Sequence, residues 1–493
     1  MKNNLRLFLV QAFLVYGIQC IGWDEKNALD EYVWKDDGYY KYEILDSFRS
    51  VTNESTIYVL NMTSQKWLDD SVSDSSVWWH YMGIAIPDVV DLTDAALVYN
   101  DAGRNDPNSS PPDRDDLVNL AISVIAEEIG IVVSYVKQIP NQPIVFKSDP
   151  EQKRKTEDRL IGYTWRMFID NPESPGPEVL ARFPMTKAVI KAFETTRTVA
   201  AEMRPELNIQ RYAITGASKR GWTAWMVACV DKRAIFTIPM VMDLLNLLPN
   251  MKHHYRALGG WTFAFKPYYE HNLTVELDNP NTKKLASFVD PYEYKERLNE
   301  TVKFIISGAS DEFFLTDDSH YFFHDLPGPK YMMLLENAGH AMFPHYLDIL
   351  EAVGAIIKPV FTGQKLPQLD FEYKETEMNG TIIMRSDTPL DAAYVLISKT
   401  VDNVRRDWRL HKGEPPSASD IEWDDYEIQA NPDGSYSYTV EKDPEGKWTA
   451  FFLRAEFTGE NDWDYIITSE AHIVPDVFPF PECFGQGCRG ELL

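Results

Sequence analysis

The sequence has few cysteines and few positive charges, and each shortage excludes a class of protein. Only 4 of the 493 residues are Cys, too few for a disulfide framework to hold together a chain of this size. Lys and Arg number 48 against 75 Asp and Glu, a net charge of −27 that argues against a nucleic-acid partner. The apolar fraction of 44% and the charged fraction of 25% are typical of a globular protein and not of a disordered chain.

Motifs for metals and cofactors are also missing. The sequence contains no glycine-rich dinucleotide or phosphate loop, and no His or Cys pair has the spacing typical of zinc. His253 and His254 are adjacent, so their side chains diverge. We therefore expect neither a metal nor a cofactor.

The N-terminal segment has the order of a secretory signal peptide. Lys2 and Arg6 precede an apolar run over 7–18, and the small residues Cys20 and Gly22 come before acidic residues. The run is shorter than the roughly 20 residues that a membrane span needs. We predict a signal peptide over 1–22 and a secreted, extracellular chain with no membrane span after cleavage.

Two further features fit an oxidising, extracellular compartment. Sequons for N-linked glycosylation exceed the number expected by chance and occur at Asn53, Asn61, Asn108, Asn272, Asn299 and Asn379. Cys483 and Cys488 enclose Phe-Gly-Gln-Gly, whose glycines tolerate a tight turn, so this pair is predicted to form a disulfide. Cys229 is interpreted as a small buried apolar residue.

From about residue 79 to 357, within a domain that we place over 23–364, apolar segments of strand length alternate with helix-period segments. This alternation predicts an α/β domain with a mostly parallel central sheet covered on both faces. The predicted strands are 79–86, 95–99, 129–136, 211–215, 235–242, 302–307 and 331–335. The predicted helices are 115–128, 157–169, 186–203, 219–230 and 341–357.

The pattern changes after residue 364. Short strands separated by turn residues predict an all-β, immunoglobulin-like sandwich over 365–477, with a long loop over 404–426 and a C-terminal tail over 478–493. The predicted strands are 370–374, 381–385, 393–398, 435–440, 448–457 and 465–474.

Two long loops, around 100–114 and 250–291, are predicted to interrupt the α/β domain. The second is aromatic and carries His253, His254, Tyr255, Trp261, Tyr268 and Tyr269, a set typical of a loop that covers a substrate cleft. The first four are our candidates for lining that cleft. The alternative is that these rings fill a secondary core beneath the loop.

The segment Thr215-Gly-Ala-Ser-Lys-Arg-Gly-Trp222 carries the strongest chemical signal. A β-prone run ends at Ser218 and an apolar helix pattern follows at once. This strand-to-helix turn is where a serine nucleophile is exposed beside the helix N–H groups that stabilise an oxyanion. The second Gly comes one residue later than in Gly-x-Ser-x-Gly, so the motif is a variant. Taken by itself, the motif is explained about as well by a Gly-Ala-Ser helix cap.

Two later loops supply partners for this serine. Asp311 follows the predicted strand 302–307, and His340 follows the predicted strand 331–335. The chain order Ser218, Asp311, His340 is that of an α/β-hydrolase triad. Glu312, Asp317 and Asp318 are rivals of Asp311 for the acidic role.

An oxyanion hole needs two donors. The Lys219 N–H is predicted to be one, and Ala102 or Gly103, in the loop after strand 95–99, the other. The cations Lys219 and Arg220 indicate an anionic group near the nucleophile, or else Arg220 pairs with a structural carboxylate.

Several longer motifs resemble the PhoPQ-activated pathogenicity-related family, which includes the autocrine proliferation repressor proteins. They are Lys137-Gln-Ile-Pro-Asn-Gln-Pro, Thr156-Glu-Asp-Arg-Leu-Ile-Gly-Tyr-Thr-Trp, Phe183-Pro-Met-Thr-Lys-Ala, Thr215-Gly-Ala-Ser-Lys-Arg-Gly-Trp and Asp311-Glu-Phe-Phe-Leu. The resemblance, over about 78–479, implies a secreted α/β-hydrolase domain followed by an immunoglobulin-like domain, with Ser218, Asp311 and His340 at the triad positions. It departs after strand 95–99, where Asn-Asp-Ala-Gly-Arg replaces a Gly-Gly pair.

Two hypotheses follow. The first is a secreted serine hydrolase that cleaves an ester or a small peptide amide, so that its partner is a small-molecule or peptide substrate. The second is a non-catalytic secreted signalling protein on a hydrolase scaffold, whose partner is a cell-surface receptor.

Overall fold

The computed structural model describes residues 21–106, 109–459 and 462–493. Residues 1–20 of the predicted signal peptide and the Asn108 sequon lie outside the described residues. Within the described residues, no helix is both long enough and apolar enough to cross a membrane.

A large mixed sheet forms the centre of the α/β region, in the order β1-β2-β3-β5-β4-β6-β7-β8-β9. Its strands are β1 Lys41–Arg49, β2 Ser55–Lys66, β3 Val77–Pro87, β4 Ala95–Asn100, β5 Val132–Val136, β6 Arg211–Ala217, β7 Ala234–Met240, β8 Val302–Gly308 and β9 Lys330–Leu335. All pairings from β5 to β9 are parallel. The buried, almost continuously apolar strands β4 to β9 explain why this part of the sheet was predictable.

The antiparallel strands β1 and β2 were not predicted. β1 alternates between exposed and half-buried residues, and β2 mixes polar with apolar side chains. β2 pairs with β3, and β1 pairs with β2 at the edge of the sheet. Burial is only partial there, so no continuous apolar run is required.

Helices cover both faces of the sheet. They are α1 Ala28–Trp34, α2 Leu117–Ile129, α3 Glu157–Asp170, α4 Arg182–Met203, α5 Lys219–Val230, α6 Leu247–Leu258, α7 Lys266–Glu270, α8 Pro280–Val289 and α9 Tyr346–Thr362. The five predicted helices are present: α5 has the predicted bounds, and the other four have shifted ends. α2, for example, runs to Ile129 and ends at Gly130 in the left-handed conformation, so the predicted strand that follows begins three residues late.

The prediction of a loop over 250–291 is wrong. This segment is mostly helical and contributes α6, α7 and α8, together with short 3-10 helices. We call residues 247–298 the helical cap. Its apolar side chains join the main core, including Leu247, Met251, Phe265, Leu277 and Leu285, which explains how an aromatic segment forms ordered structure.

The C-terminal region consists of antiparallel strands, as predicted. They are β10 Leu369–Glu375, β11 Asn379–Ser386, β12 Ala392–Lys399, β13 His411–Lys412, β14 Ser417–Ala418, β15 Asp424–Glu427, β16 Tyr436–Glu441, β17 Thr449–Thr458, β18 Asp464–Thr468 and β19 His472–Val474. One sheet has the order β10-β11-β16 and another the order β15-β12-β17-β18, with β19 also paired to β17. The predicted loop 404–426 is largely irregular but contains the short β13 to β14 hairpin.

The two regions share one core. Ile356 of α9, Ile382 of β11 and Leu453 of β17 belong to the same buried apolar cluster as Phe304 of β8. The backbone N–H of Leu334 in β9 donates to Thr468 Oγ1 of β18, 3.1 Å away. The C-terminal sheets are therefore packed against the α/β region and not tethered to it by a bare linker.

Candidate active site

Ser218 lies in the turn between β6 and α5, with φ 57° and ψ −126°. A non-glycine residue in this conformation carries backbone strain of about 1–3 kcal/mol. The turn is held by the Ser218 N–H, which donates to the Met240 carbonyl oxygen at 2.8 Å. At Gly216, a Cβ atom would lie 2.8 Å from the Arg220 carbonyl oxygen, so the close approach of strand and helix requires glycine.

His340 connects the serine to a carboxylate. Its Nε2 lies 2.8 Å from Ser218 Oγ, and its Nδ1 lies 2.8 Å from Asp311 Oδ2 and 3.0 Å from Oδ1. The His340 ring packs beside Phe313 and Phe314, with centroid separations of 4.9 and 5.7 Å. The three side chains that the sequence predicted together are therefore in one hydrogen-bonded chain, at the carboxyl ends of β6, β8 and β9.

Asp311 is buried and held rigidly. Its Oδ1 accepts hydrogen bonds from the backbone N–H groups of Phe313 and Phe314, at 2.6 and 3.1 Å. Burial lowers the pKa of His340, but the charge of Asp311 and its hydrogen bond outweigh that effect and leave this pKa above its usual value. The carboxylate therefore favours a proton on His340.

The three rival carboxylates have other partners. Glu312 accepts a hydrogen bond from the His340 backbone N–H at 2.7 Å and contacts His411. Asp317 and Asp318 both contact His253. None of these contacts reaches the His340 ring, so the geometry selects Asp311.

The predicted oxyanion donors follow the carboxyl ends of two neighbouring strands, β6 and β4. Lys219 is the first residue of α5, where a backbone N–H has no partner inside the helix. The Ala102 N–H donates to Asp101 Oδ1 at 2.7 Å, while the Gly103 carbonyl accepts from Gln142 Nε2 at 2.9 Å. Because the Ala102 N–H is engaged, Gly103 remains the stronger candidate for the second donor.

The carboxylates near the nucleophile come from the start of α3. Glu157 forms a two-pronged pair with Arg220, with both distances at 2.7 Å. Lys219 Nζ lies 3.1 Å from Glu157 and 3.0 Å from Asp158. Burial raises the pKa of Glu157, but Arg220 and Lys219 reverse this and hold it at about 2. Arg220 thus pairs with a structural carboxylate, one of the two roles foreseen for it.

Ser218 also lines a narrow and largely apolar cavity. Its wall includes Trp165, Trp222, Leu244, Leu248, Met251 and Phe313. The charged residues on the wall are Asp158, Arg182 and Lys219. The cavity therefore lies between α3, the start of α4, the nucleophile turn, the segments after β7 and β8, and the helical cap.

The four cleft candidates His253, His254, Tyr255 and Trp261 do not belong to this wall, and their prediction is wrong, whereas Tyr268 of the same segment does line it. His254 stacks on Trp261 at 5.5 Å, and Tyr255 packs beside Trp261 at 6.0 Å. The Trp261 indole N–H donates to the carbonyl oxygen of Cys488 at 2.9 Å. These rings form the alternative secondary core, against the C-terminal tail that the Cys483–Cys488 disulfide closes.

His253 belongs to a buried ionic cluster. It lies 3.1 Å from Asp317 and 3.0 Å from Asp318, and Asp317 is also bound by Arg406. Burial lowers the pKa of His253, but Asp317 and Asp318 more than compensate and raise it to about 9. Arg406 further bonds Asp476 at 2.9 Å, so this cluster joins the cap to the C-terminal region.

Sequence reasoning missed Arg182 and Asp158 at the cavity, whereas Tyr268 belongs to the aromatic segment that was expected to cover a cleft. The Tyr268 hydroxyl donates to Asp158 Oδ1 at 3.0 Å. The motif beginning at Thr156 and the one beginning at Phe183 were noted only as a family resemblance. Asp158 lies inside the motif that begins at Thr156, and Arg182 directly precedes the motif that begins at Phe183. Their place in or beside these family motifs was the signal that could have identified them.

The predicted glycosylation sites differ in the exposure of their asparagines. Asn53, Asn272 and Asn299 are exposed, whereas Asn61 and Asn379 are half-buried. Asn61 Oδ1 is buried with no hydrogen-bond partner. In the described part of the chain, no group of three or more His, Cys, Asp or Glu side chains has the arrangement of a metal site.

A family model and a sequence relative both place this chain in the same family. The model of the PhoPQ-activated pathogenicity-related proteins matches residues 29–409. Autocrine proliferation repressor protein A of Dictyostelium discoideum is 34% identical over 484 residues, covering 94% of this chain and 95% of that protein.

Solved structures similar to this chain are more distant. An acetyl xylan esterase from Paenibacillus sp. R4 has a TM-score of 0.42 and 13% identity, over 66% of this chain and 89% of the esterase. Acetyl xylan esterase 1 from Thermoanaerobacterium sp. JW/SL YS485 has a TM-score of 0.40 and 14% identity, over 65% and 90% of the two chains. On the evidence of the family model and the sequence relative, this chain belongs to the PhoPQ-activated pathogenicity-related protein family.

Proposed function

We propose that this protein is a secreted serine hydrolase with an α/β-hydrolase fold. The observation that carries the proposal is the hydrogen-bonded chain from Asp311 through His340 to Ser218, with the serine in a strained strand-to-helix turn. This combination supports catalysis because each member occupies the place that its role requires.

The proposed reaction is acyl transfer to Ser218. His340 Nε2 accepts the proton of Ser218 Oγ as the oxygen attacks the substrate carbonyl, and later donates it to the leaving group. Asp311 keeps the Nδ1 proton of His340 in place and stabilises the imidazolium. The N–H of Lys219, with that of Gly103, stabilises the oxyanion. Water then hydrolyses the acyl-enzyme.

An ester or a small peptide amide is the proposed substrate. The narrow cavity beside Ser218 favours a small or slender group over a folded protein. The apolar wall favours a substrate whose bound portion is mainly hydrocarbon.

Covalent labelling with a fluorophosphonate tests the proposal. We expect one adduct, located on Ser218 by mass mapping, in the purified wild-type protein. Ser218→Ala should lose it, while Ser47→Ala, which removes an exposed serine of β1, should keep it. A folded wild-type protein with no adduct on any serine would exclude an activated nucleophile.

The second candidate function is a secreted signalling protein that does not depend on catalysis. The observation that favours it is the name of the 34% identical relative, an autocrine proliferation repressor. A cell-surface receptor would then be the partner. Full growth-regulating activity of Ser218→Ala, added to cells as purified protein, would favour this candidate, and loss of that activity would favour hydrolysis.

Secretion and the C-terminal fold are part of the same proposal. Exposed sequons at Asn53, Asn272 and Asn299 and the disulfide between Cys483 and Cys488 are compatible with an extracellular protein. The paired antiparallel sheets after residue 368 support an immunoglobulin-like sandwich. Mass analysis of secreted protein would locate the N-terminus and the glycans.

A further inference from the structure

Arg182 is a buried cation in the wall of the cavity that contains Ser218. It is the first residue of α4 and only 1% exposed. Its Nη1 donates to the carbonyl oxygen of Lys219 at 2.7 Å, and its guanidinium carbon lies 4.1 Å from the Trp222 ring. These contacts fix the guanidinium next to the nucleophile turn.

No carboxylate within the described residues pairs with Arg182. The other buried arginines of the described chain each have one: Arg220 with Glu157, Arg297 with Asp30, Arg406 with Asp317, Arg409 with Asp407 and Arg454 with Glu336. A buried charge without a counter-charge is costly, so buried arginines are normally paired. Arg182 is the exception, and it is the one that lines the cavity.

The nearby carboxylates are already bound. Asp158 accepts from Tyr268 and pairs with Lys219, and Glu157 is taken by Arg220 and Lys219. Around the nucleophile, two carboxylates therefore face three cations, and the excess positive charge is on Arg182.

The Arg182 guanidinium keeps hydrogen-bond donors that no protein acceptor uses. Nη1 is used, whereas Nε is buried and has no hydrogen-bond partner. The edge formed by Nε and Nη2 is the one that binds a carboxylate through two parallel hydrogen bonds. Burial lowers the pKa of Arg182 to about 10, so the group stays charged at neutral pH.

We propose that Arg182 binds a carboxylate of the substrate, so that the substrate is an ester or amide whose apolar portion bears a carboxylate. This inference rests on the proposed serine hydrolase. The hydrocarbon part lies against the apolar wall formed by Trp222, Leu248 and Met251, and the carboxylate supplies the missing counter-charge of Arg182.

Two matched fluorophosphonate probes test this assignment. Both carry the same short alkyl chain, which ends in a free carboxylate in one probe and in its methyl ester in the other. The measured quantity is the ratio of their second-order labelling rates at Ser218, within one protein. We expect the wild-type protein to prefer the carboxylate probe by about tenfold or more, since charge-assisted hydrogen bonds to a buried cation are strong.

Variants then assign the preference to one residue. Arg182→Met should reverse the ratio in favour of the methyl ester, and Arg182→Lys should keep a reduced preference for the carboxylate. Arg197→Met, which removes an exposed cation from the same helix, should keep the wild-type ratio. Because each ratio is taken within one protein, a general loss of reactivity cancels.

The outcomes separate the two proposals. A wild-type protein that labels with both probes but shows no preference for the carboxylate would overturn the role of Arg182 and leave the serine hydrolase intact. A preference that survives in Arg182→Met would overturn it as well. A folded wild-type protein that labels with neither probe would reject the hydrolase, and this inference with it.

Discussion

The edge of the sheet that carries the candidate triad and the helical cap differ in the kind of sequence information that specifies them. The edge places Ser218, Asp311 and His340 at the ends of three parallel strands, and its hydrogen bonds require particular atoms in particular positions. The cap packs by apolar contact, and many sequences satisfy such contact. Hydrogen bonds between particular atoms therefore require particular residues, which can be recognised in the sequence. Apolar packing requires only that the segment be rich in apolar residues, so the sequence does not show which of them line the cavity.

The sheet edge and the cap have different roles in the proposed reaction. The edge supplies the nucleophile, the base and the oxyanion donors of the proposed reaction. The cap and α3 supply the wall that contacts the rest of the substrate, with Leu248, Met251 and Tyr268 among its residues. Changes at the edge should affect the chemical step, and changes in the cap should affect substrate choice or stability.

The largest expected effect is at the edge. His340→Ala removes the base from Ser218 and should lower the labelling rate by about 10⁴-fold, as expected when a triad member is lost. The rate of fluorophosphonate labelling measures this. His324→Ala, which removes an exposed histidine bound to Glu470, should label at the wild-type rate, and a reduction of similar size there would contradict the assignment.

The buried cluster that joins the cap to the C-terminal region should affect stability strongly. Arg406→Met leaves His253 to neutralise both buried carboxylates, Asp317 and Asp318, at a cost of about 3–5 kcal/mol in the free energy of unfolding. Urea unfolding measures the change. Arg385→Met, which removes an exposed ion pair with Glu372, should cost less than about 1 kcal/mol. Equal costs would mean that the cluster contributes no more than a surface pair.

A change in the cap should alter selectivity without removing reactivity. Met251→Trp places a larger ring in the cavity wall and should slow labelling by a fluorophosphonate with a long alkyl chain about tenfold relative to one with a methyl group. The ratio of the two rates is the measurement. Met203→Trp, at the partly exposed end of α4, should leave the ratio unchanged.

The smallest expected effect is a shift along the pH axis. His340 must be neutral to accept a proton, so labelling should increase as pH rises through its pKa, which Asp311 holds above the usual value of 6.5. Asp311→Asn removes the group that raises this pKa and leaves burial, which lowers it. The midpoint should then move to lower pH, on top of a lower maximum rate, and an upward movement would contradict the role of Asp311.

The strands were predictable where burial on both faces required continuous apolar runs, as in β6 and β8. The edge strands β1 and β2 were not, because β1 is at most half-buried and β2 mixes buried with half-buried positions. In the cap, aromatic residues such as Trp261 indicated a cleft, but whether a ring lines a cavity or fills a core depends on what packs behind it. Behind Trp261 lies the C-terminal tail, more than 200 residues away in the chain.

The sequence alone determined the alternating α/β pattern, the antiparallel C-terminal strands, the family motifs, and the serine and histidine of the candidate triad, with Asp311 as the first of several candidate carboxylates. It did so because strand periodicity, turn residues and nucleophile geometry are local requirements. Tertiary structure decided which carboxylate faces His340, which rings line the cavity, and that Arg182 is left without a counter-charge there. Each of these depends on distances between segments that are remote in the chain, and local patterns do not encode such distances.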